Sequence, residues 1–379
     1  MRGLAYYGKG DIRFENSHPE PQLRSRSDVK IKVDYCGICG SDLHEYLDGP
    51  IFFEGSRNKI SNLPKKKQCM GHEMSGEIVE VGLEVKNLKV GDKVAVEATG
   101  TCMDRYRFPE SPHSERQPCA SCSQGCYNSC DYVAFSGLGF EDGGFAEYCV
   151  IGEHHAVPYP KDLIPEDVAA LTEPISVAWH AVRKSGIGKG GSALILGSGP
   201  IGLATILSLK GHQVKKIVVV EPSKARRELA QLLNVETFDP TGKTPDKTTD
   251  EVKKSTEFGF GFTHSYDCSG VPDTFAMSFH GLNSNGIATN IAIWAHRPVK
   301  FYPMEVTLHE KLLTGSMGYV RKDFEQVIDA YKAGLLDPKE VKKLITHIAP
   351  LEKGVESGIK ELLEHKGRHI KILITPRPC

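Results

Sequence analysis

The sequence predicts an α/β protein in which a doubly wound parallel sheet is joined to a mainly β, barrel-like domain. Three observations carry that expectation. Short strand-like runs broken by Gly and Pro fill the chain up to about residue 160. From there apolar strands alternate strictly with helices, as a doubly wound sheet requires. Between the first such strand and its helix stands 197-GSGPIG-202, a glycine-rich turn.

The early runs are 29-VKIKVDY-35, 76-GEIVEVG-82, 93-KVAVE-97 and 146-AEYCVIG-152. Their spacing suits an antiparallel barrel-like arrangement. An amphipathic helix opens at 166 (PEDVAALTEPISVAWHAVRKSG). Strand 192–196 then precedes helix 200–211, and strand 216–221 precedes helix 223–233. Residues 239–256 fit a loop and a solvated helix. Strands follow at 264–268, 286–293 and 312–317. Two helices, near 323–333 and 352–365, and a strand at 369–375 complete the chain. The expected organisation is interrupted: 1–160 with 318–379, and 161–317.

Composition narrows the function classes. With 379 residues the chain can bury two cores, and its net charge of −1 gives no basic run that would suit nucleic acid or an anionic membrane. No apolar stretch approaches a membrane span, and the first residues lack the apolar core of a signal peptide. Eleven cysteines without a secretory signal point to metal binding in a reducing cytoplasm rather than to disulfides.

The cysteines divide by setting. Cys102, Cys119, Cys122 and Cys130 read as four thiolates closing one tetrahedral, structural zinc, with Cys126 competing as a ligand. Cys102 is separated from the others by the polar insertion 103–118. Cys39, His72, Glu73 and Glu173 offer sulfur, nitrogen and oxygen donors in Gly-flanked turns, a set that can leave one position open for a substrate oxygen. The glycine motif supplies a nucleotide cradle. Gly197 permits the tight turn, Gly199 lets amides approach a pyrophosphate, and Pro200 and Ile201 open the helix. Gly202 lets that helix pack on the sheet. Glu221, ending the next strand, would accept both ribose hydroxyls and repel a 2′-phosphate, favouring NAD over NADP. Arg226 and Arg227 close by could soften that preference.

The strings GICGSDLHEY, MGHEMSGEIVEVG, GDKVAVE, GGFAEY, EPISVAWHA and LILGSGPIG, in that order and nearly end to end, resemble the zinc-containing medium-chain alcohol dehydrogenases. Glu173 stands where the alcohol dehydrogenases proper carry cysteine, which resembles the polyol and butanediol dehydrogenase branch. HEYLDGPIF and TNIAIW are similar to its fungal butanediol members. The resemblance implies a Rossmann domain and a GroES-like catalytic domain, with two zinc ions per chain, one catalytic and one structural, and NAD. It implies reversible oxidation of a small secondary alcohol or vicinal diol, such as (R,R)-2,3-butanediol to acetoin. Polyol or threonine oxidation is the alternative. In these terms Cys39 and His72 are fixed ligands, Glu73 and Glu173 alternate as the carboxylate, and Asp42 orients His72. Ser41 and His44 form a proton relay, and Val177, Cys268, Ser269 and Asn290 touch the cofactor. A homodimer or homotetramer is implied as well. The insertion 48–69, anchored by ligands at both ends, would lie beside the pocket, with Phe52 and Phe53 as an apolar wall or as core.

Overall fold

A computed structural model describes residues 1–53, 67–108, 118–294 and 298–378. It forms two compact units: 1–173 with 320–328 and 345–379, and 174–319 with 329–344. Among the described residues no helix is long and apolar enough to cross a membrane.

In the first unit, β1 (Gly3–Gly8) lies between β2 (Asp11–Glu15) and β4 (Gln68–Cys69). The larger sheet is built on β3 (Asp28–Gly37). One edge of β3 takes β5 (Glu73–Val81), followed by β6 (Lys93–Val96) and β10 (Ala156–Pro158). Its other partners divide its length. β9 (Tyr148–Gly152) pairs with residues 28–32, and β18 (Lys371–Thr375) pairs with Cys36 and Gly37. β17 (Ile345–Pro350) runs parallel to β18 at the far edge. β7 (Thr99–Gly100) and β8 (Ala134–Phe135) form a separate short pair. The expected barrel is therefore an open strand path among the described residues, with β1 touching it through the bridge between Gly3 and Ala146. Val29, Ile31 and Val33 of β3 alternate into a core with Ile78, Val94, Val96, Cys149 and Ile374, all nearly inaccessible to water.

The helices of this unit include α1 (Gly40–Asp48), α2 (Ala120–Ser123) and α3 (Glu166–Ala169), while α4 (Thr172–Ser185) begins at its boundary. The sequence suggests one helix from 166, but it breaks after Ala169. Pro174 has no amide hydrogen for the Ala170 carbonyl, so the helix restarts with proline in its first turn, where it is tolerated. The expected helix at 352–365 is an irregular run from Leu351 to Glu364, ending in α12 (Glu361–Glu364). Within it Gly354 and Gly358 sit close against Leu4, Ile38 and Ile374.

The second unit carries a six-stranded parallel sheet: β11 (Ser192–Leu196), β12 (Lys216–Val220), β13 (Glu236–Phe238), β14 (Phe262–Asp267), β15 (Leu282–Asn290) and β16 (Leu312–Gly315). Their spatial order is β13-β12-β11-β14-β15-β16, the doubly wound 3-2-1-4-5-6 order. β11 and β12 are continuous apolar runs because both faces of a parallel sheet are covered. α5 (Pro200–Gly211) is almost wholly buried, and α6 (Lys224–Gln231), α7 (Pro245–Lys253) and α8 (Pro272–His280) are the further crossover helices. α9 (Met304–Thr307) and α11 (Pro338–Lys342) also belong to this unit, and α10 (Arg321–Lys332) is divided between the two. The strand order reverses between β11 and β14, and ligands of open α/β sheets bind outside the carboxyl ends of strands at such a point.

Candidate active site

Strand register assembles the first group of polar residues. Gly37 at the end of β3 is paired with Glu73 at the start of β5. Two residues past Gly37, Cys39 caps α1, and His72 immediately precedes Glu73. The antiparallel pairing thus brings Cys39, His72 and Glu73 together, with one donor atom of each lying within 4.8 Å of the others. Gly71 adopts φ +92°, and a Cβ there would stand 2.5 Å from the Phe145 ring, so the turn presenting His72 requires glycine.

Asp42, in the first turn of α1, accepts the Cys39 amide at 2.9 Å through Oδ2 and turns Oδ1 toward His72 Nδ1, 3.6 Å away. Both facing atoms are buried without a formal hydrogen bond. That arrangement leaves Nε2 to face outward, where Ser41 Oγ lies 3.2 Å away. His44, three residues further along α1, is exposed. Ser41 thus borders the imidazole, and His44 stands on the exposed side of α1.

Sequence reasoning missed Lys371. On the opposite edge of β3, β18 pairs Leu373 with Gly37, so Lys371 and Glu73 approach from either side of one glycine. Lys371 Nζ donates to Glu73 Oε1 at 2.7 Å and to the Ile38 carbonyl at 3.0 Å, and both side chains are almost wholly buried. A Cβ on Gly37 would fall 2.1 Å from Glu73 Oε2. A lysine 298 positions from its carboxylate leaves no local motif to find.

Glu173, expected in the ligand set, is buried at the start of α4 but is not among the three converging residues. Its charge reaches Lys371, whose pKa is raised: burial opposes the charge, and Glu73, Cys39 and Glu173 outweigh it. His72 is likewise held well above its ordinary value, because the negative fields of Asp42 and Cys39 exceed the burial penalty. Net negative potential, a thiol, an imidazole nitrogen and the unpartnered Glu73 Oε2 are what a zinc-class cation needs. These residues fit the metal.

The second group is more local. Cys102 begins the 3₁₀ turn 102–107, Cys119 caps α2, Cys122 lies inside it and Cys130 follows the turn 127–129. All four sulfurs lie within 4.8 Å of one another. Backbone amides already point at them: Cys119 N to Cys102 Sγ at 3.3 Å, and Cys102 N to Cys130 Sγ at 3.2 Å. Burial pushes the Cys130 thiol up to about 11 and Cys122 higher still. For Cys119 the neighbouring amides outweigh burial and bring it down to about 6. A cation is needed for the set to ionise together, so the residues fit a four-sulfur zinc. Cys126 is exposed and outside the cluster, with its sulfur facing the Gln124 carbonyl. Cys102→Ser is expected to remove one zinc per chain and lower thermal stability, while Cys126→Ser keeps full metal content. Elemental analysis of the two purified variants checks this, and the reverse pattern would overturn the choice of Cys102.

In the second unit the expected cofactor residues collect at the carboxyl ends of adjacent strands. Gly197 has φ +95°, and a Cβ there would stand 2.1 Å from Ser269 Oγ, so the turns after β11 and β14 touch. A Cβ on Gly202 would lie 2.0 Å from the Gly197 carbonyl oxygen, which brings α5, with Pro200 and Ile201 in its first turn, close onto the turn. Gly199 caps α5 and has room for a side chain at its Cβ. Glu221 is buried, and its carboxylate accepts the Ser198 amide at 2.8 Å and the Ser223 amide at 2.9 Å. Arg227 is committed elsewhere, to the Glu221 and Pro222 carbonyls and to Asp239. Arg226 lies over the glycine turn, its Nη1 3.8 Å from a Cβ built on Gly199. Ser269 donates from its hydroxyl to the Leu196 carbonyl, Cys268 is half-buried, and Asn290 uses its side-chain amide on Trp294 and Ala292. Val177 is half-buried on α4.

Phe52 and Phe53 pack against the core of the first unit, Phe53 stacking on Tyr6 at 4.6 Å, as the expected core role requires. Residues 54–66 and 109–117, which hold most of the two insertions, lie outside the described residues.

Comparison with known proteins agrees with this chemistry. Residues 25–161 match the alcohol dehydrogenase GroES-like domain, and residues 200–333 match the zinc-binding dehydrogenase family. The chain is 50% identical over 380 residues to (R,R)-butanediol dehydrogenase of Saccharomyces cerevisiae, covering 99% of this chain and 98% of that one. It is 47% identical to a probable diacetyl reductase [(R)-acetoin forming] of the same yeast, covering 99% and 90%. A crystal structure of 2R,3R-butanediol dehydrogenase from Bacillus subtilis superposes with a TM-score of 0.86 at 33% identity, covering 99% of each chain. The chain belongs to the zinc-binding alcohol dehydrogenase family and is an oxidoreductase.

Proposed function

We propose that the enzyme reversibly oxidises (R,R)-2,3-butanediol to acetoin, with NAD as hydride acceptor. The first unit would hold the diol and the second the cofactor. The observation that carries the reading is the convergence of Cys39, His72 and Glu73 beside Ser41 in a chain half identical to a butanediol dehydrogenase. Zinc bound by Cys39, His72 and a carboxylate from Glu73 or Glu173 would lower the pKa of a substrate hydroxyl toward neutrality. Ser41 would take the proton from the substrate hydroxyl oxygen and His44 would pass it to water, and a bound nicotinamide would supply the acceptor for hydride from the carbon bearing that oxygen. Asp42 keeps the His72 ring turned so that Nε2 faces the reacting side.

In the second unit the pyrophosphate would sit on the amides of 197–202 at the α5 N-terminus, against Ser269, with Val177, Cys268 and Asn290 nearer the nicotinamide. A 2′-phosphate would meet the Glu221 carboxylate, and Arg227 is already bound by carbonyls and Asp239. NAD is therefore expected to exceed NADP by on the order of a hundredfold in kcat/KM, with Arg226 too weak a counterweight.

One assay tests substrate and cofactor together: kcat/KM with NAD and NADP against the butanediol stereoisomers, sorbitol, xylitol and threonine. A pocket matched to one methyl position discriminates by about 1–3 kcal/mol, so the (R,R) isomer should lead the (S,S) isomer by roughly tenfold to two-hundredfold. Relatives about 30% identical include a probable D-xylulose reductase A of Aspergillus fumigatus, so a higher value with xylitol or sorbitol would move the enzyme to the polyol branch.

The working form is a homodimer or homotetramer on this reading. Among the described residues β16 is an edge strand of the parallel sheet and exposes Leu312 (59%) and Leu313, with Ile293 and Met317 also exposed in this unit. An apolar unpaired edge invites a second strand. Light scattering on the full chain at micromolar concentration should give at least twice the 41.7 kDa chain mass, and a monomer would contradict it.

A further inference from the structure

A third group of donors lies in the first unit, apart from both clusters above. Asp104 is fully buried in the 3₁₀ turn that begins at Cys102. Its Oδ2 accepts the amide and hydroxyl of Thr101, at 2.7 and 3.3 Å, which fixes the carboxylate plane. The other oxygen, Oδ1, faces two imidazoles at once: His155 Nε2 at 2.9 Å and His154 Nε2 at 3.0 Å. These three atoms all lie within 4.8 Å of one another. On the far side of His155, Nδ1 is 2.8 Å from Oε2 of the buried Glu97. The His154 side chain is 44% exposed, so the group opens to water on one side only.

We propose that Asp104, His154 and His155 form a metal site, distinct from the two zinc clusters, that takes a divalent ion of the zinc class. Two imidazole nitrogens and one carboxylate oxygen are the donors that zinc, cobalt and nickel accept, and three protein ligands leave a fourth position for water. The supporting residue is present as well. Metal-bound imidazoles usually give their other N–H to a carboxylate, which fixes ring and tautomer, and Glu97 is placed to do this for His155.

The distances are compatible. A tetrahedral ion bonded at about 2.0–2.1 Å holds its ligand atoms roughly 3.3 Å apart. The observed 2.9 and 3.0 Å need to open by a few tenths of an ångström, a shift to be taken up at His154, whose side chain is the exposed one of the three. An ion there takes the place of the proton on His155 Nε2, while Nδ1–H remains on Glu97. It also balances two buried carboxylates that otherwise share one imidazolium.

The site's position defines its effect. Glu97 directly follows β6, and His154 and His155 directly precede β10, its sheet partner. Asp104 is two residues past Cys102. A bound ion therefore ties the cysteine-rich lobe to the edge of the main sheet, so it adds stability rather than chemistry to turnover.

The test uses the full-length enzyme, dialysed to constant metal content and then equilibrated with Zn²⁺. Elemental analysis is expected to show one further zinc per chain over the resident content, with a rise in the thermal unfolding midpoint. His154→Ala removes the one partly exposed ligand and leaves His155 on Asp104 and Glu97. It should keep the resident metal and the basal activity, bind the further zinc at least about tenfold more weakly, and lose the zinc-dependent rise. Asp104→Asn should bind it more weakly still, provided its resident metal content matches wild type. No further zinc at roughly millimolar free Zn²⁺, far above the range in which a three-ligand site would fill, would overturn the proposal. So would equal uptake and equal stabilisation in wild type and His154→Ala, the mark of scattered surface binding.

Discussion

His72→Ala is expected to lower kcat/KM by about a thousandfold or more and to remove one metal per chain, with the fold retained. Lewis-acid assistance to a reacting oxygen is worth several kcal/mol, and each ~1.4 kcal/mol is a factor of ten in rate. His72 is one of the three converging residues: its Nε2 faces Ser41 at 3.2 Å, while Asp42 faces the ring from the other side. Alanine deletes the donor and leaves Asp42 Oδ1 facing a cavity. The loss should therefore appear in kcat and metal content together, rather than in KM alone. The four-cysteine cluster serves as an internal control, because its zinc should stay in place. Activity within tenfold of wild type, in protein that has lost one metal, would show that turnover does not depend on this group.

How far these sites could be read from sequence depended on how local their causes are. The glycine turn announces itself because strand, turn and helix are contiguous, and because buried parallel strands such as ALIL and IVVV are continuously apolar. The four cysteines were legible for the same reason, lying within 29 positions of one another. Non-local pairings were not legible. β18 comes from the last ten residues of the chain, yet it completes the edge of β3 beside the Cys39 turn. No periodicity near residue 371 reveals that partner. The break after Ala169 is set by a proline five residues on, in a stretch whose apolar spacing alone reads as one helix. Glu173 comes from α4 rather than from the paired strands, and its field still acts on Lys371 beside Glu73.

Lys371→Met is expected to cost about 3–5 kcal/mol of stability, because it strands the Glu73 carboxylate in a water-free site. Both partners are nearly inaccessible, 4% and 1%, and Lys371 also satisfies the Ile38 carbonyl. Methionine matches the length of the lysine stem but supplies neither charge nor donor. The pair is not simply worth that amount, since two buried charges spend most of their attraction on desolvation. Glu73→Gln placed in the Lys371→Met background should therefore recover part of the loss, and the double variant should be more stable than the sum of the single changes allows. Guanidinium unfolding of the metal-loaded full chain measures all three. A purely structural lysine would move stability alone. Lys371 instead fixes Oε1 of Glu73 and leaves Oε2 directed away, so Lys371→Met should also weaken retention of the metal by about tenfold to a hundredfold against a chelator. Additive losses with unchanged metal retention would mean that Lys371 and Glu73 act independently, and that the glycine between them has no part in positioning the carboxylate.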